Sequence, residues 1–331
     1  MIQRRTLLAA SAAATTTSLV SPWALAQAPA AALETQRVLC GFPAGGTTDA
    51  VSRRVAEKLR GQFAKQTLVE NKPGAGGRLA VEELRRSPPD GSSLLLTPAG
   101  MITLYPHIYT KLSYTSTDVT PVSTGGVVAF ALAVSTAVVP DSVKTIKDYL
   151  AWVKANPNQA SYGSPGAGSP PHFLGALLAK ESGVALSHIP YRGSAPGVQD
   201  LLGGQLPAMS SPIGDYLPHL KSGKVRVLAT SGAQRSRFLP DVPTYTEQGF
   251  KALEMTEWYG FFLPAKAAPD LTERMAKAIR AAVTSPEVVE GLAALGVETQ
   301  ACTPAELLKM VKDETARWQG IVKHVGFVPE A

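Results

Sequence analysis

The sequence predicts an α/β protein with two lobes, in which helices cover both faces of a mostly parallel β-sheet. Short apolar segments with strand character alternate with amphipathic helical segments along most of the chain. The alternation occurs in both halves of the 331-residue chain, which is long enough for two lobes of roughly 150 residues after removal of a leader. Two apolar runs, near Val134 and Trp258, are candidates for strands that cross between the lobes, and two crossings make a hinge.

The first 26 residues are expected to form a leader, a signal peptide that directs export. Arg4 and Arg5 precede a mildly apolar stretch, and Ala24-Leu25-Ala26 has the small-x-small pattern of a cleavage site. The paired arginines loosely resemble a twin-arginine signal, so both the twin-arginine and the Sec route remain open. Loss of residues 1–26 removes two arginines and no acid, which lowers the formal net charge from +6 to +4.

The first half of the mature chain contains three predicted strands and two predicted helices. The strands are expected at residues 37–42, 67–70 and 93–97, and the helices at residues 49–63 and 79–86. Val51, Val55 and Leu59 recur at helical spacing and define the apolar face of the first helix. Two turn sequences, at residues 71–74 and 88–91, separate the elements.

The second half continues the alternation and ends in three helices. Strands are expected at residues 122–134, 160–163, 186–190, 206–210, 225–230 and 258–263. Helices are expected at residues 146–156, 170–182, 196–202, 213–222, 270–284, 286–295 and 304–323. Residues 27–132 together with 257–331 are expected to form lobe 1, on which the last helices pack, and residues 133–256 lobe 2.

Composition argues against several functional classes. Beyond the leader, no segment approaches the ~20 apolar residues of a membrane span. Lysines and arginines are dispersed, so nucleic acid is not expected as a partner. The five histidines lack metal-ligand spacing, and neither a metal nor a cofactor is expected. Cys40 and Cys302 are far apart in the sequence, and we expect two buried free thiols.

Two glycine-rich loops are the candidate ligand contacts. Loop 1 (residues 42–49) and loop 2 (residues 164–169) each follow a strand and open a helix, where free N–H groups and the helix dipole favour an anion. A tight turn is the alternative for either loop alone, but their occurrence in both halves favours binding. The candidate contacts, with one residue after the third strand, are Phe42, Pro43, Ala44, Gly45, Gly46, Thr47, Asp49, Ala99, Ser164, Gly166, Gly168 and Ser169.

Signatures of catalysis are absent from the sequence. It contains no Gly-x-Ser-x-Gly elbow and no phosphate-binding Gly-x-x-x-x-Gly-Lys loop. Asp49 is expected to stabilise its helix through the dipole rather than to act as a base. A non-enzymatic binding protein is therefore favoured. The main alternative is a secreted α/β hydrolase, which needs a nucleophile–base pair. The effector domain of a transcription regulator is a third, but a leader stands where its DNA-binding segment belongs.

Seven motifs occur in an order that resembles the Bug family, the periplasmic receptors of tripartite tricarboxylate transporters. They are FPAGGTTD at 42–49, VENKPGAGG at 69–77, PDG at 89–91, YGSPG at 162–166, PYRG at 190–193, LGGQ at 202–205 and LPDVPT at 239–244. The resemblance implies a type II, Venus-flytrap fold with two lobes and a hinge. It also implies a carboxylate pincer formed by loops 1 and 2, partly through water. The expected protein is a periplasmic monomer that serves a membrane transporter or a sensor.

The sequence departs from the family pattern at three positions. Gly41 replaces a usual proline, Cys40 a usual aliphatic residue, and Pro207 a usual acid. The first two flank loop 1, and the third leaves the identity of the ligand open. Arg192 is expected to fix its own loop rather than to contact the ligand.

Overall fold

The computed structural model describes residues 33–329, and the expected leader lies outside this range. The strands are β1 (Leu33–Cys40), β2 (Ala64–Asn71), β3 (Ser93–Pro98), β4 (Val119–Ser135), β5 (Ser161–Ser164), β6 (Ser187–Pro190), β7 (Ala208–Pro212), β8 (Val225–Thr230) and β9 (Thr256–Pro264). The α-helices are α1 (Thr47–Leu59), α2 (Arg78–Arg86), α3 (Gly100–Thr103), α4 (Tyr105–Ile108), α5 (Ile146–Ala155), α6 (Pro170–Ser182), α7 (Ser194–Leu202), α8 (Pro269–Val283), α9 (Pro286–Ala293) and α10 (Pro304–Val325). Short 3₁₀ segments occur at Ala75–Gly77, Ser116–Asp118, Pro157–Gln159, Ile213–Asp215, Leu217–Ser222 and Lys251–Leu253.

The sheet has parallel flanks and an antiparallel centre. Its strand order is β2-β1-β3-β9-β4-β7-β5-β6, with β8 paired to β4. β1 lies parallel to β2 and β3, and β5 lies parallel to β6 and β7, whereas β9 and β4 run against their neighbours. The long strand β4 pairs with β9 as far as Ala129 and with β7 from Phe130 onwards, so it is shared by both halves of the sheet.

One predicted helix has a different structure. Residues 213–222, expected to be α-helical, form the two 3₁₀ segments Ile213–Asp215 and Leu217–Ser222. Pro218 has no N–H to donate to an earlier carbonyl, which interrupts an α-helix at this point. Gly214 packs directly against the backbone carbonyl of Leu295, where a Cβ would lie only 2.0 Å from that oxygen. The tight contact joins this segment to the turn after α9.

The core is continuous between the two halves of the sheet. α8 and α9 contact α1, as expected for the last helices, but α10 packs against α3 and α4 as well as against α6. Phe173 on α6 and Trp318 on α10 are both almost fully buried, with ring centroids 5.4 Å apart. Burial of such a side chain stabilises the fold by about 1.5–3 kcal/mol. α10 therefore packs against helices from both halves of the sheet and connects them.

Strand register brings the carboxyl ends of both halves to one place. Pro98, at the end of β3, pairs with Tyr259 near the start of β9. Ala129 of β4 pairs with the first residue of β9, and the adjacent Phe130 pairs with Pro212 at the end of β7. The loops that follow β1, β3, β5 and β7 consequently face the same region beside the middle of β4, where open α/β sheets bind ligands.

Two features concern the described fold as a whole. Cys40 and Cys302 are both buried and unpaired, as predicted. Within residues 33–329, no helix is long and apolar enough to span a membrane.

Candidate functional site

Loop 1 is held by the carboxylate of Asp49, which is only 2 % exposed. The amide of Gly45 donates to it at 2.9 Å, and the side chain of Arg53 donates at 2.8 Å. Asn71 donates to its other oxygen at 2.9 Å and also to the carbonyl of Phe42. Burial raises the pKa of Asp49, but these hydrogen bonds outweigh it and hold the pKa below its usual value. The ionised Asp49 thus fixes the loop itself, beyond the expected helix-dipole role.

The tip of loop 1 is exposed and offers free backbone donors. Gly45 has φ +87°, a left-handed conformation that favours glycine, whereas Gly46 has φ −78°. The described chain provides no acceptor for the amides of Gly46 and Thr47, which lie at the start of α1. Pro43 and Ala44 complete the exposed tip. Free amides at a helix start are suited to an anion.

In loop 2, two backbone amides that the sequence predicts to be free donate hydrogen bonds to acceptors within the chain. The amide of Gly168 donates to Nδ1 of His172 at 3.1 Å, and the amide of Ser169 donates to the carbonyl of Gly166 at 3.3 Å. The expectation that Gly168 and Ser169 offer free backbone donors is therefore wrong in this structure, because acceptors within the chain occupy both amides. Ala167 lies at the exposed tip, and its amide has no acceptor among residues 33–329.

The stacked imidazole rings of His172 and His188 form hydrogen bonds with residues of loop 2. His172 and His188 lie with ring centroids 3.8 Å apart and planes inclined by 12°. Nε2 of His188 lies 2.7 Å from Oγ of Ser164, while His172 accepts from Gly168. Burial lowers the pKa of each imidazole to about 4, and for His188 the neighbouring His172 adds to this effect. Both rings are neutral at pH 7, so His172 can accept the hydrogen bond from Gly168.

The sequence did not reveal the role of these histidines. His172 is the third residue of α6, and His188 lies on β6, where it pairs with Tyr162 on the adjacent strand. The only local signal was the position of His172 three residues after Ser169, whose hydroxyl accepts from the His172 amide. His188 meets Ser164 only because β5 and β6 are neighbours.

The contact between Ser164 and His188 bears on the hydrolase alternative. It is a serine–histidine pair at hydrogen-bonding distance, but Ser164 is fully buried and its hydroxyl also lies 3.0 Å from the carbonyl of Gly166. Within residues 33–329, no carboxylate orients His188 as the third group of a triad. The same range contains no cluster of His, Cys, Asp and Glu that could hold a metal ion.

The third side of the region is formed by Ala99 and the start of β9. The amide of Ala99 donates to the carbonyl of Trp258, and the amide of Gly100 donates to the carboxyl group of Glu257 at 3.3 Å. Burial raises the pKa of Glu257 to about 8; the Gly100 hydrogen bond opposes this, and Glu314 adds to it. The sequence prediction included Ala99 but missed Glu257.

Contacts around α4 connect the two loops. A Cβ on Gly168 would lie 2.7 Å from Cδ1 of Ile108, so loop 2 touches the end of α4. At the start of α4, the hydroxyl of Tyr105 donates to the carbonyl of Gly76. The next residue, Gly77, adjoins the ring of Phe42 in loop 1. Both loops therefore border the same region.

A surface depression of about 440 Å³ lies elsewhere, between α1 and α9. It touches Asp49 but is otherwise lined by charged side chains such as Arg53, Glu57 and Glu287, and it contains no residue of loop 2. Its mixed charge and the absence of loop 2 from its lining make it a weaker candidate than the region between the loops.

Comparison with known proteins gives consistent matches. Residues 51–327 match the family described as the tripartite tricarboxylate transporter family receptor. The protein BugT of Bordetella pertussis is 32% identical over 88% of this chain and 89% of its own. The structure of the periplasmic binding protein BugD is 31% identical with a TM-score of 0.78, over 89% of this chain and 99% of that chain. R. palustris Rpa4515, solved with adipate, is 27% identical with a TM-score of 0.80, over 89% of this chain and 99% of that one. These matches confirm the predicted fold class and the resemblance to the Bug family, and they do not support the hydrolase alternative.

Proposed function

Since the chain belongs to the tripartite tricarboxylate transporter family of receptors, which are periplasmic solute-binding proteins, we propose that it captures a small carboxylate-bearing compound between loops 1 and 2. It delivers this ligand to a transporter of the tripartite tricarboxylate type, or to a sensor, as a monomer and without catalysis. The adipate bound by the related Rpa4515 is a ligand of the same class. Residues 27–132 with 257–331 form one lobe and residues 133–256 the other, and the lobes close on the ligand.

The free amides of Gly46 and Thr47 carry this proposal. Both lie at the start of α1, where Gly46 is exposed and Thr47 is partly buried. Neither loop contains a lysine or arginine, so recognition of an anion rests on oriented backbone groups. Each hydrogen bond from such an amide to a carboxylate contributes about 1.5–3 kcal/mol. From loop 2, the exposed amide of Ala167 supplies the opposing donor, directly or through water.

The remaining candidate contacts position these donors or line the cleft. They are Phe42, Pro43, Ala44, Gly45, Asp49, Ala99, Ser164, Gly166, Gly168 and Ser169. The amides of Gly45, Gly168 and Ser169 are used within the loops, so these residues act through the shape that they give to the backbone.

Export is part of the same proposal. Cleavage after Ala26 by the Sec or the twin-arginine route would release a mature chain that begins at Gln27. N-terminal sequencing of periplasmic material tests this. An uncleaved chain confined to the cytoplasm of its host would refute it.

The decisive experiment replaces Gly46 with valine. Gly46 has a negative φ, and a Cβ there would meet only the carbonyl oxygen of Pro43, at 3.6 Å, so the variant is expected to fold. The β-branched side chain should prevent a carboxylate from approaching the amides of Gly46 and Thr47. Loss of one or two such bonds weakens binding by roughly ten- to a hundredfold or more.

The matched control is Gly320→Val, since a Cβ at Gly320 in α10 meets nothing within 4 Å. A panel of organic acids, including adipate, is first screened by thermal shift, because a ligand that binds the folded state raises the melting temperature. Calorimetry then compares each hit with its carboxamide. Equal affinity for the acid and the amide, or equal binding by Gly46→Val and the control, would show that the loops are only turns.

A further inference from the structure

Glu257 is a carboxyl group without a cationic partner beside the proposed site. It lies at the start of β9 and is partly buried. One of its oxygens accepts the amide of Gly100, and no lysine or arginine of the described chain forms an ion pair with it. The acids around loop 1 differ, because Asp49 is paired with Arg53, and Glu70 with two cations. Glu257 therefore stands out among the acids near the loops.

Tyr259 connects Glu257 to loop 1 and to the other half of the sheet. Tyr259 lies two residues along β9, on the same face of the strand, and is 5 % exposed. Its phenol is close to the hydroxyl of Thr47 and within electrostatic reach of both Glu257 and Asp215. Asp215 follows β7, in the other half of the sheet, and accepts from the hydroxyl of Ser211. Burial raises the pKa of Asp215.

Arg317, whose guanidinium lies close to the start of β9, does not pair with Glu257. Arg317 on α10 donates to the carbonyl of Glu254 and acts electrostatically on Glu314. The carboxyl group of Glu314, in turn, accepts from the indole N–H groups of Trp258 and Trp318, so it already has a structural role. Among residues 33–329, Glu257 has no such second donor.

The charge pattern of the region follows from these contacts. Free amides at loop 1 favour a carboxylate, whereas the wall formed by Glu257, Tyr259 and Asp215 offers acidic groups and a phenol. Burial keeps Glu257 largely protonated at pH 7, so a second carboxylate of a ligand would find no cation at this wall, and its charge would be buried without a partner, which disfavours it. An ammonium group would instead lower the pKa of Glu257 and pair with its ionised form through charge-assisted hydrogen bonds.

On the basis of the proposed function, we propose that Glu257 determines ligand specificity by receiving an amino group, so that the preferred ligand is an aminocarboxylate rather than a dicarboxylate. The carboxylate of the ligand lies against Gly46 and Thr47, and its ammonium group lies against Glu257, with Asp215 adding negative potential from the other half of the sheet.

The test measures the ratio of affinities for matched probes. γ-Aminobutyrate, succinate and butyrate share one chain length, and ε-aminocaproate, adipate and caproate share a longer one. Calorimetry compares the wild type, Glu257→Gln and a control, Glu254→Gln, in which a glutamate three residues earlier is changed in the same way. We expect the wild type and the control to bind the aminocarboxylate of at least one set roughly tenfold or more tighter than the dicarboxylate.

Glu257→Gln should reduce this ratio by roughly tenfold, because the amide keeps the size of the side chain but cannot ionise to pair with an ammonium group. A wild type that prefers the dicarboxylate, or an unchanged ratio in Glu257→Gln, overturns the inference. Gly46→Val separates this failure from failure of the proposed function, since it should weaken all probes together without reordering them. If the wild type binds none of the six acids, both proposals fail for these chain lengths.

Discussion

Loops 1 and 2 are similar in composition, but their supports differ in charge. Loop 1 is fixed by the ionised carboxylate of Asp49, whose charge is balanced by Arg53 at 2.8 Å. Loop 2 is fixed by the neutral imidazoles of His172 and His188. A backbone anion site therefore needs rigid support, but that support can be ionic or neutral. Where it is an anion, a nearby cation keeps it from repelling the ligand.

The stabilisation of loop 1 by Asp49 and the stabilisation of loop 2 by the two imidazoles are lost in different pH ranges. The pKa of Asp49 in the folded protein is held below its usual 3.8, so its contribution is present above that pH and is lost only below it. The imidazoles have folded pKa values of about 4, below the usual 6.5, so their contribution is present above pH 6.5 and declines as the pH falls towards 4. Acidification should therefore loosen loop 2 before loop 1.

The largest effect is expected from Asp49→Ala. The change removes the buried carboxylate that accepts from Gly45, Arg53 and Asn71, so loop 1 loses three hydrogen bonds at once, which should cost about 2–4 kcal/mol of unfolding free energy. Asp148→Ala is the matched control, because Asp148 also lies in the first turn of its helix but belongs to an ordinary capping box. That variant should cost only ~1 kcal/mol.

Denaturant unfolding of both variants at pH 7 measures the difference. If Asp49→Ala is no less stable than Asp148→Ala, Asp49 is merely a helix-capping acid and loop 1 has no special ionic support. Binding of the organic acid identified by screening should also be lost in Asp49→Ala and retained in the control.

The next effect concerns the titration of loop 2. Protonation of His172 puts a proton on the nitrogen that accepts from Gly168, so two donors would face each other. At 1.36 kcal/mol per pKa unit, the fall from 6.5 to about 4 sets an upper limit of roughly 3 kcal/mol for each imidazole. Both rings are partly exposed, and solvent screening should reduce the combined loss of unfolding free energy to about 2 kcal/mol or more between pH 6.5 and 4. In His172→Asn, the side-chain oxygen can replace Nδ1 as an acceptor that does not titrate.

The measurement is the difference between the pH profiles of the wild type and His172→Asn. The difference matters because Glu257 and Glu314, with pKa values raised to about 8 and about 7, contribute the opposite slope. Their stabilisation is present at low pH and is lost as the pH rises through those values. Parallel profiles of the two proteins between pH 4 and 6.5 would show that His172 does not couple protonation to stability.

Local patterns in the sequence predicted much of the fold and the position of both loops. Val51, Val55 and Leu59 are all buried on α1, and the long apolar run that includes Val134 became β4. The supports of the loops were not predictable, because they depend on which strands are neighbours. Nothing near Ser164 indicates that His188 lies on the adjacent strand.

The pairing register of the strands explains why the sequence did not predict the position of Glu257. Glu257 lies beside Ala99 and Gly100 because β9 pairs with β3 in an antiparallel register, which periodicity along one segment does not reveal. The same limit applies to the amide of Gly168, whose acceptor is a side chain one helical turn ahead rather than a ligand. Sequence patterns indicated where backbone donors lie but not which of them remain free.

The smallest effect should come from Ser169, which caps α6, whereas the equivalent cap of α1 is Gly46 without any side-chain bond. Ser169→Ala removes the acceptor for the His172 amide and should cost about 1 kcal/mol, while Ser169→Gly should cost only a few tenths of that. The glycine variant gives loop 2 the same type of cap as loop 1. If Ser169→Gly unfolds and binds like the wild type, the cap is dispensable, and the imidazoles provide the essential support of loop 2. A loss of binding in Ser169→Gly without loss of stability would instead place the hydroxyl among the ligand contacts.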